Sequence, residues 1–215
     1  MRFRILIIAI SILLAFSSFA QADELTAEIQ KTYDSIKTFK ADFSQTLTNA
    51  ASKEQEIRSG KIIFKQPSLL RWESVKPEKE LLIVGESVVW DYFPDDKLAL
   101  KYRTKQLFNS KTMIKFISGQ ARLEEDFVVE NQGDDNGLIK LKLLPLEPET
   151  GLVLAYVWVD PIKKMLVKTL VVDFYGNGNE VAMSNIEIDP EVADSEFQFT
   201  PPEGVDVEDN TPNPE

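Results

Sequence analysis

The side chains that could do chemistry are restricted, because none of the 215 residues is a histidine or a cysteine. Serine–histidine and cysteine–histidine nucleophile systems are therefore excluded, as are zinc sites built on imidazole or thiolate. Carboxylates, lysine and tyrosine remain, and two carboxylates could act as the acid and the base of a glycosidase. Nearly all Asp and Glu residues, however, fall at turns or on the polar side of predicted strands. We expect no enzyme, no cofactor and no metal site; a carboxylate-based hydrolase is an alternative that requires two carboxylates converging in a cleft.

Two short motifs invite a binding role, and both are interpreted as turns. The DDNG segment at 134–137 lacks the alternating ligand spacing of a calcium loop, and Asn-Gly between strands is typical of a hairpin. The GNGN segment at 176–179 lacks the downstream lysine and hydroxyl residue of a phosphate-binding loop.

The first 22 residues have the layout of a cleavable secretory signal. Arg2 and Arg4 precede an apolar block at 5–16, and Ala20 and Ala22 supply the small residues of a cleavage site. The block is too short to span a bilayer, which takes roughly 20 residues. We expect cleavage after Ala22, which leaves an exported, soluble chain of 193 residues (215 minus 22).

The composition also bounds how the mature chain is stabilised and what it binds. Without cysteine there are no disulfides and no lipid-modified cysteine, so core packing alone must stabilise a single domain, predicted at 23–207. Removing the two signal arginines leaves 22 basic against 35 acidic residues, a formal net charge of −13. Such a surface repels nucleic acid and anionic head groups. The acidic, proline-containing segment 208–215 is predicted to be a flexible tail.

An amphipathic helix is predicted at 23–39. Its apolar side chains are spaced by four, four, three and three residues, which places them on one helical face, and they are Leu25, Ile29, Tyr33, Ile36 and Phe39.

The pattern then changes to the period of two that indicates strands. Short turns join consecutive strands, which predicts an antiparallel meander that curls towards a barrel. About eleven strands are predicted, near 40–48, 55–65, 69–75, 79–84, 87–93, 97–103, 126–131, 138–144, 152–159, 165–174 and 180–188. Within 104–126 the helical spacing of Met113, Phe116 and Ile117 predicts a short helix that covers one face of the sheet.

Five segments together resemble the outer-membrane lipoprotein carrier protein (LolA) family. They are FKADFSQTL from Phe39, GKIIFKQPSLLRWE from Gly60, VVWDYFPDDKLALKY from Val88, DFYGNGNEVAMSNIE from Asp173 and FQFTPPEGVDVED from Phe197. The resemblance implies a mainly β fold with a few helices, an unclosed antiparallel β-barrel covered by a helical lid.

The resemblance also implies a function and its partners. Such a carrier is a periplasmic chaperone that takes acylated lipoproteins from an inner-membrane ABC transporter and delivers them to an outer-membrane receptor lipoprotein of the LolB type. The receptor has a lipidated cysteine, which this chain lacks, so the chain resembles the carrier, and a monomer is expected. A second alternative is an assembly protein whose apolar sheet face binds a strand of a partner.

Strand alternation predicts which side chains would hold acyl chains. The cavity set, on the predicted concave face, is Ile62, Phe64, Leu70, Trp72, Val88, Trp90 and Tyr92, and the lid set is Leu25, Ile29, Met113, Ile114, Phe116 and Ile117. In carriers of the family an arginine before the matching proline bonds to the lid. Here that position is Gln66, so Gln66 is the first candidate latch and Arg71 the second.

Overall fold

The computed structural model describes residues 24–104 and 112–211, so the predicted signal and its cleavage site lie outside the described residues. The helices are α1 at 24–35, α2 at Thr112–Ile117 and α3 at Leu123–Asp126, with a 3-10 helix at Asp194–Phe197. The strands are β1 Thr38–Thr48, β2 Gln55–Lys65, β3 Leu69–Lys76, β4 Glu80–Val84, β5 Val88–Phe93, β6 Leu98–Arg103, β7 Phe127–Asp135, β8 Leu138–Pro145, β9 Leu154–Val159, β10 Leu166–Val172, β11 Gly178–Ile188 and β12 Asp206–Asp209. Among these residues no helix is both long and apolar enough to cross a bilayer.

All twelve strands form one unclosed sheet in the order β12-β6-β5-β4-β3-β2-β1-β11-β10-β9-β8-β7. Neighbouring strands are antiparallel, except that β12 pairs with β6 in parallel. Strand β1 lies in the middle of the sheet and pairs along its length with both β2 and β11, so it joins the two halves of the meander. The predicted fold, a mainly β unclosed barrel covered by helices, is confirmed, with one strand more than the eleven predicted.

The concave face of the sheet is the apolar one. Phe39, Ala41 and Phe43 alternate along β1 and are buried, as the period of a strand with one buried face requires. Ala41 lies opposite Ile62 on β2, and Phe43 lies opposite Gly60. A Cβ at Gly60 would come within 1.8 Å of the carbonyl oxygen of Glu73, so only glycine permits this approach of β3.

Helix α1 covers part of this face with the predicted apolar stripe. Leu25, Ile29, Tyr33 and Ile36 are all buried in the common core. The helix ends at residue 35, earlier than predicted, and Phe39 belongs to β1. The reason is local: the Asp189 carboxylate accepts the backbone N–H of Lys37 at 2.7 Å and that of Thr38 at 3.2 Å, which stabilises the chain as it enters β1.

Helices α2 and α3 cover the neighbouring part of the face, and we call α1, α2 and α3 together the lid. The Phe116 ring lies 5.6 Å from that of Phe127 at the start of β7. After α2 the chain turns at Gly119, whose φ is +70°. A Cβ there would lie 2.5 Å from Cδ1 of Tyr33, so α1 and the turn after α2 are in close contact.

The C-terminal segment after β11 crosses the outer face of the sheet. The Phe199 ring packs 5.6 Å from that of Trp90 and 5.1 Å from that of Tyr92. The segment ends in β12, where Lys101 of β6 binds Asp209 at 2.8 Å. The segment predicted as a flexible tail from residue 208 therefore begins with two residues of strand.

Candidate functional site

Four of the seven residues predicted to line the cavity share the concave face. Strand register places Ile62 opposite Trp72 and Phe64 opposite Leu70, and all four side chains are buried. The Trp72 ring lies 4.7 Å from that of Phe43, so the face continues across β1. These side chains belong to the same apolar cluster as the lid.

The other three, Val88, Trp90 and Tyr92, lie on the opposite face, and the structure corrects the prediction for β5. In this strand Val89 and Asp91 are the residues that face inwards and are buried. The outer side of β5 carries Val88, Trp90 and Tyr92 because the C-terminal segment covers it, whereas Asp91 makes the inner side look polar. Alternation alone therefore pointed to the wrong face.

All six predicted lid residues are buried against the barrel. Leu25 and Ile29 come from α1, and Met113, Ile114, Phe116 and Ile117 come from α2. Tyr33 of α1 lies among them, and burial raises the pKa of its hydroxyl well above the usual value, so this group stays neutral. The lid therefore fills much of the concave face with its own side chains.

A cavity of about 1000 Å³ remains at one end of the barrel, between the sheet and α2. Its apolar wall includes Trp72, Leu82, Met113, Ile114 and Val171. Trp72 was predicted for the cavity and Met113 and Ile114 for the lid, whereas the buried Ile62, Phe64 and Leu70, also predicted for the cavity, are not among the residues that line it. Leu82 and Val171 were missed, although both side chains point to the inner face of the sheet. Leu82 pairs with Trp72 of β3, and Val171 pairs with Ala155 of β9.

The mouth of the cavity is polar and was not predicted. On β1 and β11, Gln45 donates to Asn179 at 2.9 Å. Arg58 of β2 binds Glu56 at 2.6 Å and Glu80 of β4 at 2.9 Å. Burial opposes the charge on Arg58, but the hydrogen bond to Glu56 and the charges of both glutamates outweigh burial and raise its pKa, so the guanidinium stays charged.

The same arrangement bears on the alternative of a hydrolase. Glu56 and Glu80 do converge at the mouth, but the Arg58 guanidinium lies between them, where a glycosidic bond would have to lie. Within the described ranges, no three acidic side chains are grouped as a metal site.

The candidate latch residues lie on different faces. The Gln66 side-chain amide donates to the carbonyl oxygens of Tyr33 and Asp34 in the last turn of α1, both at 3.1 Å. Arg71 instead lies on the outer face, where it binds Glu73 at 2.9 Å and reaches the backbone oxygen of Glu196 at 3.5 Å. Of the two, Gln66 is the one in contact with the lid.

Further side-chain contacts fasten the lid. Thr26 of α1 donates to Glu124 of α3 at 2.8 Å. Arg122, just before α3, binds Asp34 of α1 at 3.4 Å. Lys164, in the turn between β9 and β10, binds Glu28 of α1 at 2.9 Å. The lid segments are thus bound to each other and to the barrel.

An open sheet and a helical lid are the features that the sequence resemblance implied, and between them lies a cavity with an apolar wall. Residues 34–200 match the family model described as outer membrane lipoprotein carrier protein LolA. The chain belongs to the LolA family. The match runs from the last residues of α1 to the segment that covers the outer face, so it includes the cavity, its mouth and the latch.

Named relatives of this LolA-family chain agree over nearly its whole length. The outer-membrane lipoprotein carrier protein of Methylococcus capsulatus is 29% identical over 209 residues, which cover 95% of this chain and 97% of the relative. That of Methylibium petroleiphilum is 30% identical over 172 residues, 80% of this chain and 83% of the relative. A solved structure of an uncharacterized conserved protein from Thermus thermophilus is 13% identical, with a TM-score of 0.58 over 88% of this chain and 99% of that one, and shows the shared fold.

Proposed function

We propose that this LolA-family carrier holds the acyl chains of lipoproteins between its concave face and its lid. It takes lipoproteins from an inner-membrane ABC transporter and delivers them to an outer-membrane receptor lipoprotein. The observation that supports this proposal best is the cavity of about 1000 Å³, with an apolar wall and a polar mouth. Its volume is at the upper end of the ~300 to 1,000 Å³ of ligand pockets, and an amphiphile would match both its parts.

The lid explains how such a carrier could bind reversibly without an energy source. Burying acyl chain gains about 0.8 kcal/mol per methylene, so several sheltered chains would bind too tightly to be released. Here the concave face is already occupied by buried lid side chains such as Ile29, Tyr33 and Phe116. An incoming chain gains only the difference between its own contacts and those it displaces. The contacts of the lid therefore set the net affinity.

The remaining parts of the proposal concern location and chemistry. We place the protein in the periplasm as a monomer, exported by the signal that ends at Ala22, with no catalytic role. Long exposed edges of the sheet would favour the alternative function, that of a strand-binding assembly protein. Of the two edge strands, β12 has only four residues, two of them aspartates and one a glutamate, which disfavours pairing, whereas β7 has nine residues.

A release assay tests the proposal. The purified mature protein is incubated with inner membranes that carry an acylated lipoprotein, and the soluble fraction is analysed by gel filtration. We expect the lipoprotein to appear in a one-to-one complex with the carrier. The same lipoprotein without its acyl chains, as the matched control, should form no complex. If acylated lipoprotein stayed in the membrane fraction at every carrier concentration, the proposal would be wrong.

A further inference from the structure

Two exposed aromatic side chains stand at the mouth of the cavity. Phe174 and Tyr175, in the turn between β10 and β11, are 70% and 72% exposed. Their rings pack edge to face, 5.6 Å apart, and we call the pair the aromatic tip. Exposed apolar side chains that are clustered, rather than scattered singly, mark interaction sites.

Hydrogen bonds hold the turn beneath the tip in one conformation. The Asp173 carboxylate accepts the backbone N–H and the side-chain amide of Asn177, both at 2.8 Å. The side-chain oxygen of Asn177 accepts the backbone N–H of Ala50 at 3.0 Å, and the backbone N–H of Phe174 donates to Thr150 at 2.9 Å. The aromatic rings are therefore presented by a preorganised turn, which lowers the entropy cost of binding.

The tip is beside the opening of the cavity. Asp173, Asn177 and Gly178, on either side of the two aromatic residues, all line the cavity. A surface that contacted the tip would also face the mouth. At the other end of β10, the turn that carries Ile162 is remote from the mouth, although Ile162 is 89% exposed.

We propose that the aromatic tip inserts into the interface of a lipid bilayer with uncharged or zwitterionic head groups. Tyrosine pairs an apolar ring with a polar hydroxyl and is enriched at membrane–water interfaces, and the phenylalanine beside it adds a second apolar ring. The excess of acidic residues, 35 against 24 basic ones, opposes contact with anionic lipid. Two side chains are too few for stable anchoring, so the contact is brief. The inference rests on the proposed function, because the tip would then hold the mouth of the cavity against the membrane in which the transporter or the receptor exchanges the acyl chain.

Flotation with lipid vesicles tests this inference. The wild-type protein, a Phe174→Ser/Tyr175→Ser double variant and the matched control Ile162→Ser are floated with phosphatidylcholine vesicles. We expect the double variant to partition roughly tenfold or more weakly than the wild type, because two exposed rings are lost. The Ile162 variant should partition like the wild type. Adding phosphatidylglycerol to the vesicles should weaken the binding of the wild type.

Equal partitioning of the wild type and the double variant, or no wild-type binding at all, would overturn the inference and point to a protein partner for the tip. A second measurement separates this failure from failure of the proposed function. An apolar fluorescent probe, titrated without vesicles, should bind all three proteins equally, because none of the altered side chains lines the cavity. Absence of probe binding by the wild type would count against the carrier function instead.

Discussion

Replacing Gln66 by alanine should loosen the lid and tighten the binding of an apolar ligand. The substitution removes two hydrogen bonds, each 3.1 Å long, from the side-chain amide to the backbone of α1. A neutral hydrogen bond contributes about 0.5 to 1.5 kcal/mol net, and this pair is only partly buried, so together they contribute about 1 to 2 kcal/mol. A ligand that must displace the closed lid should then bind about 5- to 30-fold more tightly.

A substitution that strengthens the latch tests the direction of the predicted change in affinity. In Gln66→Arg the guanidinium can donate charge-assisted bonds, roughly twice as strong as neutral ones, to the same carbonyls. The closed lid should become more stable, and the apparent affinity for the ligand should fall below that of the wild type.

Titration of an apolar fluorescent probe, at one pH and one salt concentration, measures both effects. Hydrogen exchange of residues 24–35 should be faster in the alanine variant and slower in the arginine variant. Arg71→Gln is the matched control. Since Arg71 lies on the outer face, its substitution should leave the probe affinity unchanged. The reasoning is refuted if the alanine variant binds no more tightly than the wild type, or if the arginine variant binds as tightly or more tightly.

Three further outcomes are expected. Gly119→Ala should destabilise the protein by about 2 to 4 kcal/mol in thermal unfolding, because backbone strain adds to the collision of its Cβ with Tyr33. Gly137→Ala, also at positive φ but in open space, should lose only about 1 kcal/mol, and equal losses would contradict this. Trp72→Glu should abolish probe binding, since a carboxylate facing the apolar wall costs several kcal/mol, and a variant that keeps its circular dichroism spectrum and still binds would show that the cavity is assigned to the wrong residues. Mass spectrometry of protein from cells should find a mature chain that begins directly after Ala22, and a chain that still began at its first methionine would reject the proposed export.

Most of the fold could be predicted because its elements have simple periods. The four-four-three-three spacing before β1 predicted α1, and the strand pattern of 55–65 has the same bounds as β2. Strand β12 was missed because its sequence DVED is acidic and short. Its position comes from tertiary contacts, such as the ion pair between Lys101 and Asp209, which no local pattern reveals.

The site was predictable only where one face of a strand is apolar. On β2 and β3 the outward positions carry Lys61, Lys65 and Arg71 among others, so the inward residues are distinct. On β5 the outer side packs against the C-terminal segment, which supplies Phe199 from far along the chain. The polar mouth was missed for a similar reason, because Arg58 and Glu80 are 22 residues apart and resemble ordinary surface charges until the sheet pairs them.

The contacts between the lid segments have a consequence for how affinity could evolve. Thr26 and Glu124, like Asp34 and Arg122, join α1 to the α3 region, so we expect the lid to swing as a single flap rather than as independent helices. Every side-chain contact that holds the lid closed then contributes to the same equilibrium between open and closed lid, wherever on the lid the contact lies. Substitutions at these peripheral fastenings could raise or lower the strength of binding without altering the cavity wall. The strength of ligand binding and the selectivity among ligands would therefore be set by different residues, so that one could change while the other is preserved.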